Sequence, residues 1–204
     1  MRRLALAPAL AISLAAPAAL AQGTTNPDPA AVQAGTFKLD PAHSKITWSV
    51  NHFGFSTYIG QFGHTDATLT LDPKNLGATA LDVTVDAGSL GTLNAALDNQ
   101  VKSKNFLDVA EFATATFHAI KVTRTGDRTA DIAGDLTLRG TTKPLVVHAT
   151  FNQGGRNPVD PAYRLGFTGT AKLTRSDFGI TYLLPSLGDE VTLTIEAEFR
   201  KQPG

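Results

Sequence analysis

The 204-residue chain has no cysteine, one methionine and one tryptophan. Without cysteine there is no disulfide framework, no thiolate nucleophile, no zinc–thiolate site and no lipidated cysteine behind a leader. An excess of one charge is missing as well, since 18 Lys and Arg face 18 Asp and Glu. That balance leaves no basic field for nucleic acid and no polybasic patch for an anionic membrane surface. The five histidines, His43, His52, His64, His118 and His148, are scattered and show neither H-x-H nor H-E-x-x-H spacing, so no metal site is expected. A G-x-S-x-G elbow is absent, and His43 and Ser44, as neighbours on a strand, point to opposite faces. No catalytic residue is assigned, and the chain reads as a non-enzyme.

Residues 1–21 read as a secretory signal peptide: Arg2-Arg3, an apolar run from Leu4 to Leu20, and Ala19-Leu20-Ala21 as the cleavage site. Pro8, Pro17 and the lack of a following basic stop argue against a membrane anchor. Cleavage after Ala21 removes two bases, leaving 16 against 18 acids and a net charge of −2. In a bacterial cell the mature protein would be periplasmic or secreted. Residues 22–35, rich in Pro, Gly and small polar side chains, read as a flexible leader. Residues 36–204 suffice for one domain with a full core.

Within that domain the dominant signal is alternation. Ile46, Trp48 and Val50 share one face and Lys45, Thr47, Ser49 and Asn51 the other. The same period recurs in Leu81–Val85, Ile132–Leu138, Leu165–Leu173 and Val191–Phe199, with a parity slip near Phe117-His118 and a bend at Gly63-His64. Thr125-Gly126-Asp127 marks a hairpin. One stretch follows a different rule: Leu93, Ala96, Leu97 and Val101 recur at helical spacing, which predicts an amphipathic helix of about three turns within 92–105, with Thr92 as its N-cap. About eight strands, each apolar on one face only, exclude a parallel α/β sheet and leave an antiparallel barrel or a sandwich. Strand length and glycines in apolar rows (Gly60, Gly134, Gly169) favour an eight-stranded antiparallel barrel with one inserted helix. Those glycines also suggest unfilled interior volume.

Seven motifs in order carry a resemblance. They are H-S-x-I-x-W-x-V at 43–50, G-x-F at 60–62, S-L-x-T at 89–92, D-x-x-V-K-S-x-N-F at 98–106, G-x-L-T-L-R-G-T-T-K-P at 134–144, R-S-D-F-G-I at 175–180 and G-D-E-V at 188–191. Together they resemble the YceI-like family of polyisoprenoid-binding proteins. The resemblance implies an exported lipocalin-like barrel, capped by a helix. It also implies no covalent cofactor, but a bound polyprenyl quinone, polyprenyl phosphate or fatty amide inside. Leu97, Gln100 and Ala113 stand where the pattern has arginine, histidine and proline, so a polar head-group contact is not carried over to that segment.

The candidate ligand-binding residues follow from the aromatics. Trp48, Phe53, Phe55, Tyr58, Phe62 and Phe106 are read as tunnel wall or as core, and so are Phe117, Phe167, Phe178 and Tyr182. The glycine-hinged Phe53-Gly54-Phe55 and the Tyr182-Leu183-Leu184 loop are the better ligand contacts. His52 and Asp98 read as caps or as polar tunnel ends. Arg175 either pairs with Asp177 to brace a corner, with Gly179 at positive φ, or meets a head group. A second functional reading is a soluble partner of a membrane quinone-handling cytochrome, with lipid incidental; a homodimer is left open.

Overall fold

The computed structural model describes residues 25–203; the expected signal peptide lies outside them. The strands are β1 (Thr25–Asn26), β2 (Gly35–Leu39), β3 (Lys45–His52), β4 (Ser56–Phe62), β5 (Thr65–Leu71), β6 (Ala80–Asp86) and β7 (Leu90–Gly91), followed by helix α1 (Ala95–Lys102). After the helix come β8 (Thr114–Arg124), β9 (Thr129–Leu138), β10 (Thr141–Arg156), β11 (Tyr163–Thr174) and β12 (Leu187–Lys201). All pairs are antiparallel, and the path β10-β9-β8-β6-β5-β2-β12-β11 returns to β10. The sheet is therefore a closed eight-stranded barrel, the first of the two solutions open to an alternating sequence.

The short strands are pieces of bent staves. β2 and β3 both lie along the same edge of β12, β2 opposite Phe199–Lys201 and β3 opposite Leu187–Glu196. They form one stave bent at 40–44. The expected bend at Gly63-His64 divides β4 from β5, and a 3-10 turn at Ala87–Ser89 divides β6 from β7. The end carrying the β3–β4 turn is called here the rim; next to the bend, at Gln61 and Phe62, β7 pairs with β4 alone among the described residues. The third core cluster, Leu90, Leu107 and Ile180 with Val101 and Phe106 packed on it, fills that region instead. At the far end Phe37 and Leu165 are fully buried, and Phe151, Phe167 and Phe199 meet edge to face at 5.5 and 6.0 Å.

Several expectations need correction. Helix α1 is eight residues long, and its N-cap is Asn94, whose Oδ1 accepts from the N–H groups of Ala96 and Leu97 at 3.1 and 3.2 Å. An Asn cap satisfies two of the four free amides and contributes about 1 kcal/mol. Leu93 precedes the helix at φ 64° and is fully exposed, so it does not belong to the apolar face. The parity slip in β8 sits slightly later than expected, at Ile120, where the register with β9 shifts and the side chain turns outward. Residues 25–34 are structured, unlike the leader expected. β1 pairs with Gly154–Gly155, Asp28 caps the Pro29–Ala31 turn, and Val32 is buried in the far-end cluster. A Cβ at Gly154 would stand 2.9 Å from Val32, so the glycine makes room for the valine that anchors this segment.

Ionic contacts fix the bend between β2 and β3. Arg164 Nη1 donates to Asp40 Oδ2 at 2.5 Å and Glu198 Oε1 at 2.6 Å, while Nη2 donates to Asp160 at 2.7 Å. Ser44 Oγ accepts from the Glu198 N–H at 3.0 Å, tying the same corner to β12. The Arg164 guanidinium holds the Asp40 carboxyl at a pKa of about 2, against the opposing effect of burial. Because the folded-state pKa is depressed, this stabilisation is complete above the unfolded carboxylate range and is lost as pH falls from about 4 towards 2. Urea unfolding at pH 7 and pH 3 is expected to show Asp40→Asn destabilising by about 1–2 kcal/mol at pH 7, after allowance for solvent screening, and by distinctly less at pH 3.

Candidate functional site

A cavity of about 530 Å³ occupies the barrel interior, within the roughly 300–1,000 Å³ of small-molecule sites. Its wall comes from the inward rows of the strands. Ile46, Trp48, Val50 and His52 line it from β3 by strict alternation, Tyr58 and Phe62 from β4, and Leu193 and Ile195 from β12. Most of the wall is hydrocarbon. At the rim, Phe53 and Leu183 both line the cavity and remain 37% and 38% exposed. The far end contributes Arg124 and Arg128, whose guanidiniums donate to backbone carbonyls of residues 126, 127, 151 and 152.

Of the residues singled out from sequence, nine meet in this wall: Trp48, His52, Phe53, Tyr58, Phe62, Phe106, Phe117, Phe167 and Arg175. A ring chain leads inward from the rim, with His52–Phe53 at 4.4 Å, His52–Tyr58 at 5.8 Å and Trp48–Tyr58 at 6.3 Å between centroids. Four lie elsewhere. Phe55 projects past the rim and is 89% exposed. Phe178 is buried in the middle core cluster with Phe117 and Leu136, so it packs the barrel instead of contacting the cavity. Asp98 is a structural cap: its Oδ1 accepts from the Thr92 N–H and hydroxyl at 2.7 and 2.6 Å. Tyr182 stacks edge-on against Phe106 at 5.5 Å behind the wall.

The expectation that inward glycines leave volume open is corrected at Gly60 and Gly134, while Gly169 lines the cavity. A Cβ at Gly60 would stand 2.3 Å from Trp48 Cζ2, and one at Gly134 would stand 2.6 Å from Phe117 Cζ. Both glycines are overlaid by aromatic rings that lie flat against the neighbouring strand. Sequence reasoning also missed wall residues on α1. Leu97, Gln100 and Val101 face the cavity, and their three- and four-residue spacing was the signal available. Leu97 and Gln100 are two of the positions where the chain departs from the motif pattern.

Arg175 is 4% exposed and occupied by its own loop. Nε donates to Gly188 O at 2.8 Å, Nη1 to Ile180 O at 2.9 Å and Tyr182 O at 3.0 Å, and Nη2 to Leu187 O at 3.1 Å. Four of its five N–H groups are thus committed to backbone. The bracing role holds, but its partners are carbonyls of 180–188 instead of Asp177. Burial lowers the Arg175 pKa from its ordinary value, and the Asp189 carboxylate opposes this. Asp189 itself accepts from the Ser176 N–H and hydroxyl at 2.9 and 2.7 Å. Gly179 takes φ 73°, as expected for that corner.

Four histidines lie outside the cavity against carboxylates, including His118–Asp82 at 2.6 Å and His148–Asp131 at 2.7 Å, each pair directly opposed on adjacent strands. Asp40, His43 and Glu198 bring ligand-type atoms within 4.8 Å of one another, but the Arg164 guanidinium supplies the cation there. Removing the fork at Arg175 tests the brace. Arg175→Lys keeps the charge but cannot reach four carbonyls. Thermal or urea denaturation is expected to show a loss of about 2–4 kcal/mol from the carbonyls left buried and unpaired.

Comparison with known proteins gives a consistent result. The model of the YceI-like domain matches residues 37–199. A UPF0312 protein of Pseudomonas savastanoi pv. phaseolicola is 40% identical over 165 residues, which is 80% of this chain and 85% of that protein. Burkholderia cenocepacia BcnA has the same fold, with a TM-score of 0.72 at 22% identity over 78% of this chain and 98% of that one. So does a polyisoprenoid binding domain from Saccharophagus degradans implicated in plant cell wall breakdown, with a TM-score of 0.62 at 12% identity over 83% and 100% of the two chains. Matched across its whole barrel, the chain belongs to the YceI-like family.

Proposed function

We propose that this protein is an exported, non-enzymatic carrier of a long-chain amphiphile of the polyisoprenoid class, with the tail held in the barrel and the head at the rim. The observation that carries the reading is the apolar cavity ending at a rim of bulky side chains kept in an unfavourable backbone region. Phe53 and Leu183, which line the cavity at the rim, stand at φ 57° and 63°, and both are partly exposed. For such residues the left-handed region costs on the order of 1 kcal/mol or more each, and exposure leaves little burial to offset it. Contact with an apolar cargo gives these side chains a use that folding alone does not.

The energetics suit a tail-driven binder. Each buried CH₂ contributes about 0.8 kcal/mol, so one five-carbon isoprenyl unit contributes about 4 kcal/mol before the cost of association. The Saccharophagus degradans neighbour, described as a polyisoprenoid binding domain, supports the lipid class. Export follows from the leader read in residues 1–21 and belongs to the same proposal.

Native mass spectrometry of the protein purified without organic solvent is expected to show an adduct in the polyisoprenoid mass range. The sole tryptophan lies in the cavity wall, so its fluorescence is expected to change when a polyprenyl quinone is added. No adduct, together with no uptake of a fluorescent polyprenyl analogue, would overturn the reading. Phe53→Asp is expected to lower retained lipid several-fold while changing stability by less than about 0.5 kcal/mol, because Asp tolerates positive φ better than Phe. Parallel loss of stability and binding would make Phe53 a packing residue instead.

A further inference from the structure

The cavity runs along the barrel from end to end. On β12 the inward row lines it from Leu187, which pairs with His52 at the rim, to Phe199, which pairs with Leu39 beyond the bend. At about 3.3 Å per residue that row covers roughly 40 Å of strand, or about 30 Å along the barrel axis at the usual tilt. A volume of about 530 Å³ drawn out over such a length describes a tunnel, which holds a tail extended instead of folded back on itself. Whatever ends the tunnel then limits how much tail it can hold.

Three pieces border the tunnel at its far end. Two are connections between neighbouring barrel strands. Leu76 comes from the 3-10 turn between β5 and β6, and Arg128 from the β8–β9 turn, where its backbone carbonyl accepts from the Phe151 N–H at 2.8 Å. The third is the stretch from Pro29 to Val32, which precedes the first strand of the closed ring. Pro29, Ala30 and Val32 all line the cavity, Val32 buried in the far-end cluster, Pro29 half-buried and Ala30 exposed. Placed beyond the ring, with cavity on one side and solvent on the other, Pro29 and Ala30 form an end wall. The wall is tied down on both flanks. Asp28 Oδ1 accepts from the Ala30 N–H at 2.9 Å, β1 pairs with Gly154–Gly155, and Lys201 Nζ donates to Gln33 Oε1 at 2.8 Å. The stretch also lies ahead of residue 37, where the match to the family begins.

We propose that Pro29–Val32 is a length stop, which sets the longest isoprenoid tail that the barrel accommodates with its head at the rim. The inference rests on the lipid-carrier reading and adds tail length to it. Each isoprenyl unit raises affinity while apolar wall remains to cover it. A unit that meets the stop has no further wall, and it must bend the tail or push the head out past the rim. The gain ends there. A hydrocarbon surface that discriminates poorly between one methylene more or less thereby acquires a cutoff.

The test is a series of polyprenols, from farnesol upwards in single isoprene steps to solanesol, delivered from cyclodextrin. Binding is followed by the fluorescence of the sole tryptophan, Trp48, in the cavity wall. In the wild type, affinity is expected to rise several-fold with each unit up to a cutoff and to stop rising beyond it. Ala30→Phe adds bulk at an exposed position of the end wall, and is expected to move the cutoff to a shorter tail while leaving farnesol binding unchanged. Val32→Gly thins the wall, and is expected to move it to a longer one. A second readout needs no variant. A polyprenol of cutoff length with a diazirine at its tail end is expected to label residues 29–32 on irradiation, as mapped by mass spectrometry of the digested protein. Labelling confined to rim peptides would overturn the stop while leaving the carrier reading intact. So would a wild-type series without a cutoff, a cutoff unmoved in Ala30→Phe, or loss of farnesol binding in that variant, because a stop acts only on tails that reach it. Binding of no polyprenol to the wild type would overturn the carrier reading itself.

Discussion

The bend in the stave beside β12 depends on one corner, where Arg164 of β11 holds Asp40, Glu198 and Asp160 together. β12 runs unbroken past this corner, while the stave beside it bends there and continues as β3. Below the corner the barrel is a complete hydrogen-bonded ring, and Phe151, Phe167 and Phe199 pack side by side on its consecutive strands β10, β11 and β12. Above the corner β7, among the described residues, pairs with β4 alone, and side chains from α1 and the loops after it pack in that region. The cavity wall draws on both parts of this bent barrel, from Phe53 and Leu183 at the rim to Arg124 and Arg128 at the far end. Since the clamp is a guanidinium shared by three carboxylates, it has a fixed geometry that a lysine would not reproduce.

Much of the barrel was legible because alternation is a direct consequence of strand geometry. Ile46, Trp48 and Val50 had to share a face, and they line the cavity. What stayed hidden was set by tertiary contacts that leave no periodic trace. Nothing local announces that Asn94 caps the helix ahead of Thr92, because Thr92 is instead engaged by Asp98 from within the helix. Residues 25–34 are held by the pairing of β1 with Gly154–Gly155 and by buried Val32, one apolar side chain in a stretch otherwise coil-like in composition. The site was half visible. Aromatic richness identified seven wall residues but also drew in Phe178, which burial alone cannot distinguish from a ligand contact, and Phe55, which lies past the wall.

The wall and the loop above it divide polar work unequally. Arg175 is the most buried charge near the rim, yet its hydrogen bonds fold the 175–188 segment back on itself and hold Leu183 at the opening. Its contribution to the site is shape. The hydrocarbon rows contribute affinity in proportion to area and discriminate weakly, as one methylene more or less changes binding only modestly.

The overlay of Trp48 on Gly60 ties together two positions on neighbouring strands. With a Cβ at 60 only 2.3 Å from the indole, any side chain there requires a different ring posture at 48. The two residues therefore behave as one heritable choice, and their substitution effects should be strongly epistatic. Substitution of Gly60 alone is penalised in packing. A smaller ring at 48 relaxes the demand for glycine at 60, so the two can change only in a particular order. A site made of apolar surface, otherwise permissive to substitution, thus contains a narrow passage through which its specificity can evolve.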